Sequence, residues 1–235
     1  MQSRYRTPPF NHNRGFTLVE LLVVITIISL IMALMLPVLS SSREAGRRLV
    51  CLNNLHGIGH AFIIYATDFG GMVPRGNDVI WFQAFMPFVE QTETPKDFRD
   101  VKIYRCPSYP NPVQAVCYVD SSWGFRRRSD KVGFEVLDPT PFERVDRPTQ
   151  TIYIADNEHG WWRDIVTGLN DPVLDRQDVW HPTHMSSSNS KDPTYGRRVA
   201  ADRHHGGPNL MYFDGHANSI KNHEMTVDMW RLEWN

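Results

Sequence analysis

Four side chains that could do chemistry, His204, His205, Asp214 and His216, fall within thirteen positions near the C-terminal end of a 235-residue chain. Imidazole and carboxylate donors at that density can hold a metal ion. If a hairpin folds residues 204–216 back on themselves, His204, Asp214 and His216 form the candidate ligand set. Asp156, Glu158 and His159 follow an apolar run at 151–155 and could add donors from a second segment. Imidazole nitrogens favour zinc, whereas loop carboxylates and carbonyls favour calcium. The same residues have a purely structural reading, because Asp214-Gly215 is a turn signal and His204 stands beside the Gly206-Gly207 pair. Catalysis finds less support. The chain has no G-x-S-x-G elbow and no glycine-rich phosphate loop, so no catalytic residue is assigned and a non-enzymatic role is expected.

Three cysteines, Cys51, Cys106 and Cys117, allow one disulfide and leave one thiol in an oxidising compartment. Cys106 and Cys117 bracket a proline-rich loop whose closure costs little entropy, while Cys51 could instead staple a helix to the rest of the chain; both pairings are open at this point. No C-x-x-C pair or zinc-type cysteine spacing exists. Trp161-Trp162, Trp180 and Trp230 could stack on a ligand, but seven tryptophans in a chain of this size point first to packing and subunit contacts. A formal net charge of -1 and a pI of about 6.8 argue against a nucleic-acid binder, and Arg126-Arg127-Arg128 reads as a solvated loop.

The element that must carry all of this is at the other end. Residues 16–39 (FTLVELLVVITIISLIMALMLPVL) are almost continuously apolar and hold one carboxylate, Glu20, at the fifth position counted from Phe16. The run is about as long as the ~20 residues needed to cross a bilayer core. An ionisable group there is costly and implies a partner. Upstream stand Arg4, Arg6 and Arg14 and no acid, which keeps residues 1–15 cytoplasmic. No A-x-A cleavage site follows the run; a small residue, Gly15, precedes it. The segment RGFTLVELLVVITIISLIMALMLP resembles the class III signal of type IV prepilins, the family of pilins and type II secretion pseudopilins.

That resemblance implies cleavage between Gly15 and Phe16 by a prepilin peptidase/methyltransferase, N-methylation of Phe16, and pairing of Glu20 with the amino terminus of a neighbouring subunit during assembly. It also implies calcium as the metal to test first. The implied partners are other pilin-like subunits, the inner-membrane assembly platform and the membrane itself, with no nucleic acid. The implied location is the inner membrane, single-pass, with a cytoplasmic N-terminus and a periplasmic or extracellular C-terminal domain that enters a filament.

Beyond the anchor, Leu52, Leu55, Ile58, Gly59, Phe62, Tyr65, Ala66 and Phe69 fall at steps of three and four, so residues 42–68 read as a continuation of the same helix. Gly70-Gly71 and Pro74 end it, and Pro37 should kink or loosen it. Residues 78–90 read as a short helix cut or begun near Pro87, residues 151–155 as a core strand, and residues 209–213 and 216–220 as a hairpin closed at Asp214-Gly215 by a type I′ turn. Residues 186–190 read as a mobile loop. The expected fold is α+β and pilin-like, a long N-terminal helix packed on a small antiparallel sheet. Its expected domains are a leader at 1–15, a transmembrane and assembly helix at 16–39, an extension at 40–70 and a globular domain at 71–235.

The hairpin carries a second resemblance. RHHGGPNLMYFDGHANSIK is similar to the H-X9-DG segment of a large group of prepilin-like proteins, CLNNLHGIGHAFIIYATDFGGMVP to that group's helix, and YRCPSYP to its C-P-S-D segment, with Tyr109 in place of aspartate. This resemblance implies a Cys51–Cys106 bond. The function it implies is a structural subunit of a type II secretion pseudopilus or a type IV pilus-like filament; the alternative is a membrane-anchored metal- or ligand-binding protein, or enzyme, delivered by the prepilin signal.

Overall fold

The computed structural model describes residues 16–76, 78–89, 97–159, 178–192, 195–204 and 206–234. The leader with Gly15, the Trp161-Trp162 pair and His205 lie outside them.

Helix α1 (Leu18–Asp68) opens on a reciprocal cap: Glu20 N donates to Thr17 Oγ1 (3.2 Å) and Thr17 N donates to Glu20 Oε2 (2.8 Å). It continues across Pro37, which cannot give a hydrogen bond to the carbonyl four residues back. It ends where the glycines stand. Gly70 and Gly71 take φ of 63° and 79°, and Gly71 N donates to Ala66 O at 2.7 Å, the Schellman closure that satisfies a last-turn carbonyl.

The chain divides into two units, Met1–Arg43 and Glu44–Asn235, with the boundary inside α1. In the first, every residue from Phe16 to Arg43 is exposed. In the second, Cys51, Leu55, Ile58, Ala61, Phe62, Tyr65 and Ala66 are buried, the apolar face that the sequence spacing marks out. Phe69, expected on that face, is exposed and stacks on Tyr65 at 4.3 Å.

Short strands cover this face: β1 (Met72–Val73), β2 (Tyr118–Ser121), β3 (Trp123–Gly124), β4 (Phe134–Glu135), β5 (Thr140–Pro141), β6 (Ile152–Asp156), β7 (Asp178–Val179), β8 (Asn209–Tyr212) and β9 (Ala217–Ser219). Five of them form one sheet in the order β7-β2-β6-β8-β9, while β1 pairs with β5 and β3 with β4. The fold is α+β with a long N-terminal helix, as expected. The main sheet is mixed, however, because β7 runs parallel to β2 with Asp120 opposite Asp178. Alternation along β8 separates two cores. Met211 faces Leu55, Phe62, Phe85 and Tyr153, while Leu210 and Tyr212 face Trp123, Val179 and Trp230. A bulge between Ile152 and Ile154 breaks the alternation of β6 and puts Tyr153 and Ile154 together in the first core.

Three local readings change. The helix expected at 78–90 shrinks to α2 (Trp81–Phe85) followed by a 3₁₀ turn, Met86–Phe88, because Pro87 can start a turn but not continue one. Ser186, in the expected mobile loop, is buried against Met225. Counted from the paired Tyr212 and His216, the hairpin between β8 and β9 has a three-residue connection, residues 213–215. Gly215 N donates to Tyr212 O and Tyr212 N to His216 O, both at 2.9 Å, and Gly215 alone takes a positive φ, 85°, while Asp214 does not. That is the pattern of a turn closed by a glycine bulge, not a type I′ turn. Trp230, a possible stacking residue, is fully buried beside Trp123.

Candidate functional site

At the start of α1, Glu20 is the only ionisable residue between positions 16 and 42. Its Oε2 accepts from both the backbone and the hydroxyl of Thr17, at 2.8 and 2.7 Å. Both donors belong to Thr17, so the carboxylate folds back over the first turn of its own helix. Phe16 itself is 72% exposed.

The candidate metal ligands separate. His204 is buried under α1, whereas Asp214 and His216 sit at the tip of the β8–β9 hairpin. Among the described residues the one group of three or more histidine, cysteine or acid side chains whose ligand atoms lie within 4.8 Å of one another is Cys51, Cys106 and His204. The spacing of nine residues between His204 and Asp214 therefore serves the chain path and not a shared ligand sphere.

His204 is held by groups from distant parts of the sequence. Its Nδ1 lies 3.0 Å from Glu44 Oε1, and its Nε2 lies 3.4 Å from Cys106 Sγ and 3.5 Å from Asp156 Oδ2. Ser108 Oγ donates to the same Glu44 oxygen at 2.8 Å. Burial pushes Glu44 up, but the hydrogen bonds from Ser108 and His204 and the charges of His204 and Arg47 outweigh it and hold Glu44 below the usual carboxylate range. Burial lowers His204, against the pull of Asp156 and Glu44, and burial raises Asp156. His204 also has a φ of 54°, the left-handed region that non-glycine residues enter only when their surroundings hold them there.

Cys51 and Cys106 are joined in a disulfide with Cα atoms 5.3 Å apart, the pairing that the second resemblance implied. With both sulfurs in that bond, the Cys51, Cys106 and His204 group is a packed node and not a metal site. Cys117 is the free, buried thiol, pushed up to about 11 by burial and so poorly nucleophilic. Tyr109, which replaces an aspartate of the resembling group, donates from its hydroxyl to Glu158 O at 3.1 Å and lies under the Arg203 guanidinium. Glu158 in turn pairs with Arg197 and His159, and Asp156 Oδ2 accepts from Asn209 N at 2.7 Å, so these side chains serve the packing of the globular unit.

Sequence reasoning missed Glu44, Ser108 and the two imidazoles of α1 that flank the hairpin tip, His56 and His60. The last two carried a readable signal, four residues apart on a helix. Glu44 carried none, since its partner stands 160 residues away.

Residues 10–36 match the family described as Prokaryotic N-terminal methylation motif, and residues 40–223 match the family described as Protein of unknown function (DUF1559). No curated protein and no solved structure matches the chain.

Proposed function

The chain belongs to the family of proteins of unknown function (DUF1559) and carries a prepilin-type methylation motif at its head, and from that premise we propose that it is a pilin-like structural subunit. In this reading it is cleaved between Gly15 and Phe16 by prepilin peptidase, methylated on Phe16, and assembled through α1 into a type II secretion pseudopilus or a type IV pilus-like filament. It works with other pilin-like subunits and an inner-membrane platform, and it is not an enzyme. The N-terminus faces the cytoplasm and the domain the periplasm or exterior, a side on which the Cys51–Cys106 bond is chemically stable.

One observation carries the reading: from Phe16 to Ser42 the helix is bare, apolar and charged only at Glu20. An anchor needs no carboxylate. Removing one eases partition into lipid by up to ~2.5–3.5 kcal/mol near the helix centre and less near its end. A helix that must meet a second amino terminus does need one, because a charge in the bilayer is tolerable when paired. The Thr17 bonds use one carboxylate oxygen, and Oε1 remains for a neighbour's Phe16 amine.

The test is Glu20→Ala in cells with an active prepilin peptidase. Cleavage and membrane insertion should persist while filaments disappear and processed monomer accumulates. Normal filaments from these cells would sink the subunit reading and favour an anchored binding protein that uses the signal for delivery.

A further inference from the structure

Where the β8–β9 hairpin meets α1, two backbones touch. A Cβ built on Gly59 would lie 2.4 Å from the Gly215 carbonyl oxygen, so only glycine lets the hairpin tip rest on the helix there. Beside that contact is a groove of about 420 Å³ lined by His56, Gly59, His60, Asp214, Gly215 and His216. His56 and His60 are four residues apart, hence neighbours on one helix face, which is the spacing by which a helix offers two imidazoles to one zinc ion.

The third imidazole is already oriented. His216 Nδ1 donates to Asp214 Oδ1 at 2.5 Å, and its ring stacks on Tyr212 at 4.3 Å with 4° between the planes. A histidine whose one nitrogen is fixed on a carboxylate presents the other, Nε2, as the metal-binding atom, and this carboxylate–histidine pair recurs behind zinc ligands. His56 and His60 are exposed on that same groove, and their nitrogens would have to turn toward that Nε2 to share an ion with it.

We propose that His56, His60 and His216 bind one divalent transition metal of the zinc class, with Asp214 as the positioning residue behind His216. Three nitrogen ligands suit zinc and not calcium, and the fourth position is left to water. The ion would clamp the C-terminal hairpin to the helix extension. This set shares His216 and Asp214 with the group expected from sequence but replaces the buried His204 with two helix residues.

The test uses the full processed chain in detergent, free of affinity tags and stripped by a chelator. Zinc titrated by calorimetry should bind at one site per chain, and cobalt should give the visible absorption of a low-symmetry, four-coordinate ion; calcium should do neither. His60→Gln and His216→Gln should each weaken zinc by at least about tenfold, and Asp214→Asn by about tenfold to a hundredfold. His223→Gln, at an exposed histidine outside the groove, should change nothing. His56 and His60 are surface positions, so His56→Gln and His60→Gln should leave the circular dichroism spectrum unchanged and keep the comparison valid even if His216→Gln perturbs the hairpin. No saturable zinc binding, or binding that survives both His56→Gln and His60→Gln, would overturn the proposal.

Discussion

At single residues the fold is decided by space and charge. Gly59→Ala is expected to destabilise the chain by about 1–2 kcal/mol, because the overpacking falls on a backbone oxygen that cannot swing away. That outweighs the gain of up to about 1 kcal/mol from replacing glycine inside a helix. Chemical denaturation checks it, and an increase in stability would contradict the close approach. Asp120 makes the opposite case. It is fully buried in β2, and burial, reinforced by Asp178 across the parallel register, pushes its carboxyl well above the usual range against the opposing charge of Arg75. A carboxyl raised on folding binds more protons in the native state than in the unfolded one. Its contribution is therefore complete below about pH 3.9, the ordinary aspartate value, and is lost as pH rises through the higher folded value. Asp120→Asn should accordingly stabilise the chain at pH 7 relative to the native sequence, and the advantage should shrink on acidification; denaturation at two pH values reads the difference.

Among the elements, α1 does two jobs with one helix. Within the globular unit it supplies the floor of the core, and Phe62 touches four other rings, Phe85, Phe142, Tyr153 and Phe213, at centroid distances from 4.8 to 6.3 Å. Phe62→Ala should cost about 3–5 kcal/mol, measurable as a shift in the denaturation midpoint with the slope unchanged. This helix was legible in the sequence from end to end, because a three-and-four stripe and two glycines are local signals. So was the strand β6, one residue out of step, and the existence of the C-terminal hairpin. The turn type was not legible: whether Asp214 or Gly215 alone takes a positive φ depends on how Tyr212 and His216 pair, which the dipeptide does not record. Strand β2 was missed because all four of its residues are buried and show no alternation. The surroundings of His204 were out of reach for a different reason. Glu44, Cys106 and Asp156 arrive there through tertiary packing, and no spacing in the chain announces them.

For the whole molecule, the methylation motif makes a prediction about mass. Protein from cells with an active prepilin peptidase should begin at Phe16 and carry one extra methyl group, and a bulky residue in place of Gly15 should leave the leader attached; intact-mass spectrometry decides both. The Cys51–Cys106 bond has a mechanical consequence. Any tension on residues 16–43 enters the globular unit along α1 and reaches Cys51 before it reaches Leu55, Ile58 or Phe62. There the covalent link diverts the load to Cys106, so the buried face beyond Cys51 cannot be peeled away turn by turn. Stretched from its two ends, the oxidised chain should come apart with the stretch from Cys51 to Cys106, 55 positions apart in sequence, withheld from the extension, and a reductant should return it, at roughly 3.3–3.6 Å per residue, as added length at lower force. In a chain wired this way, oxidation sets how much length the stretch from Cys51 to Cys106 can give up under load.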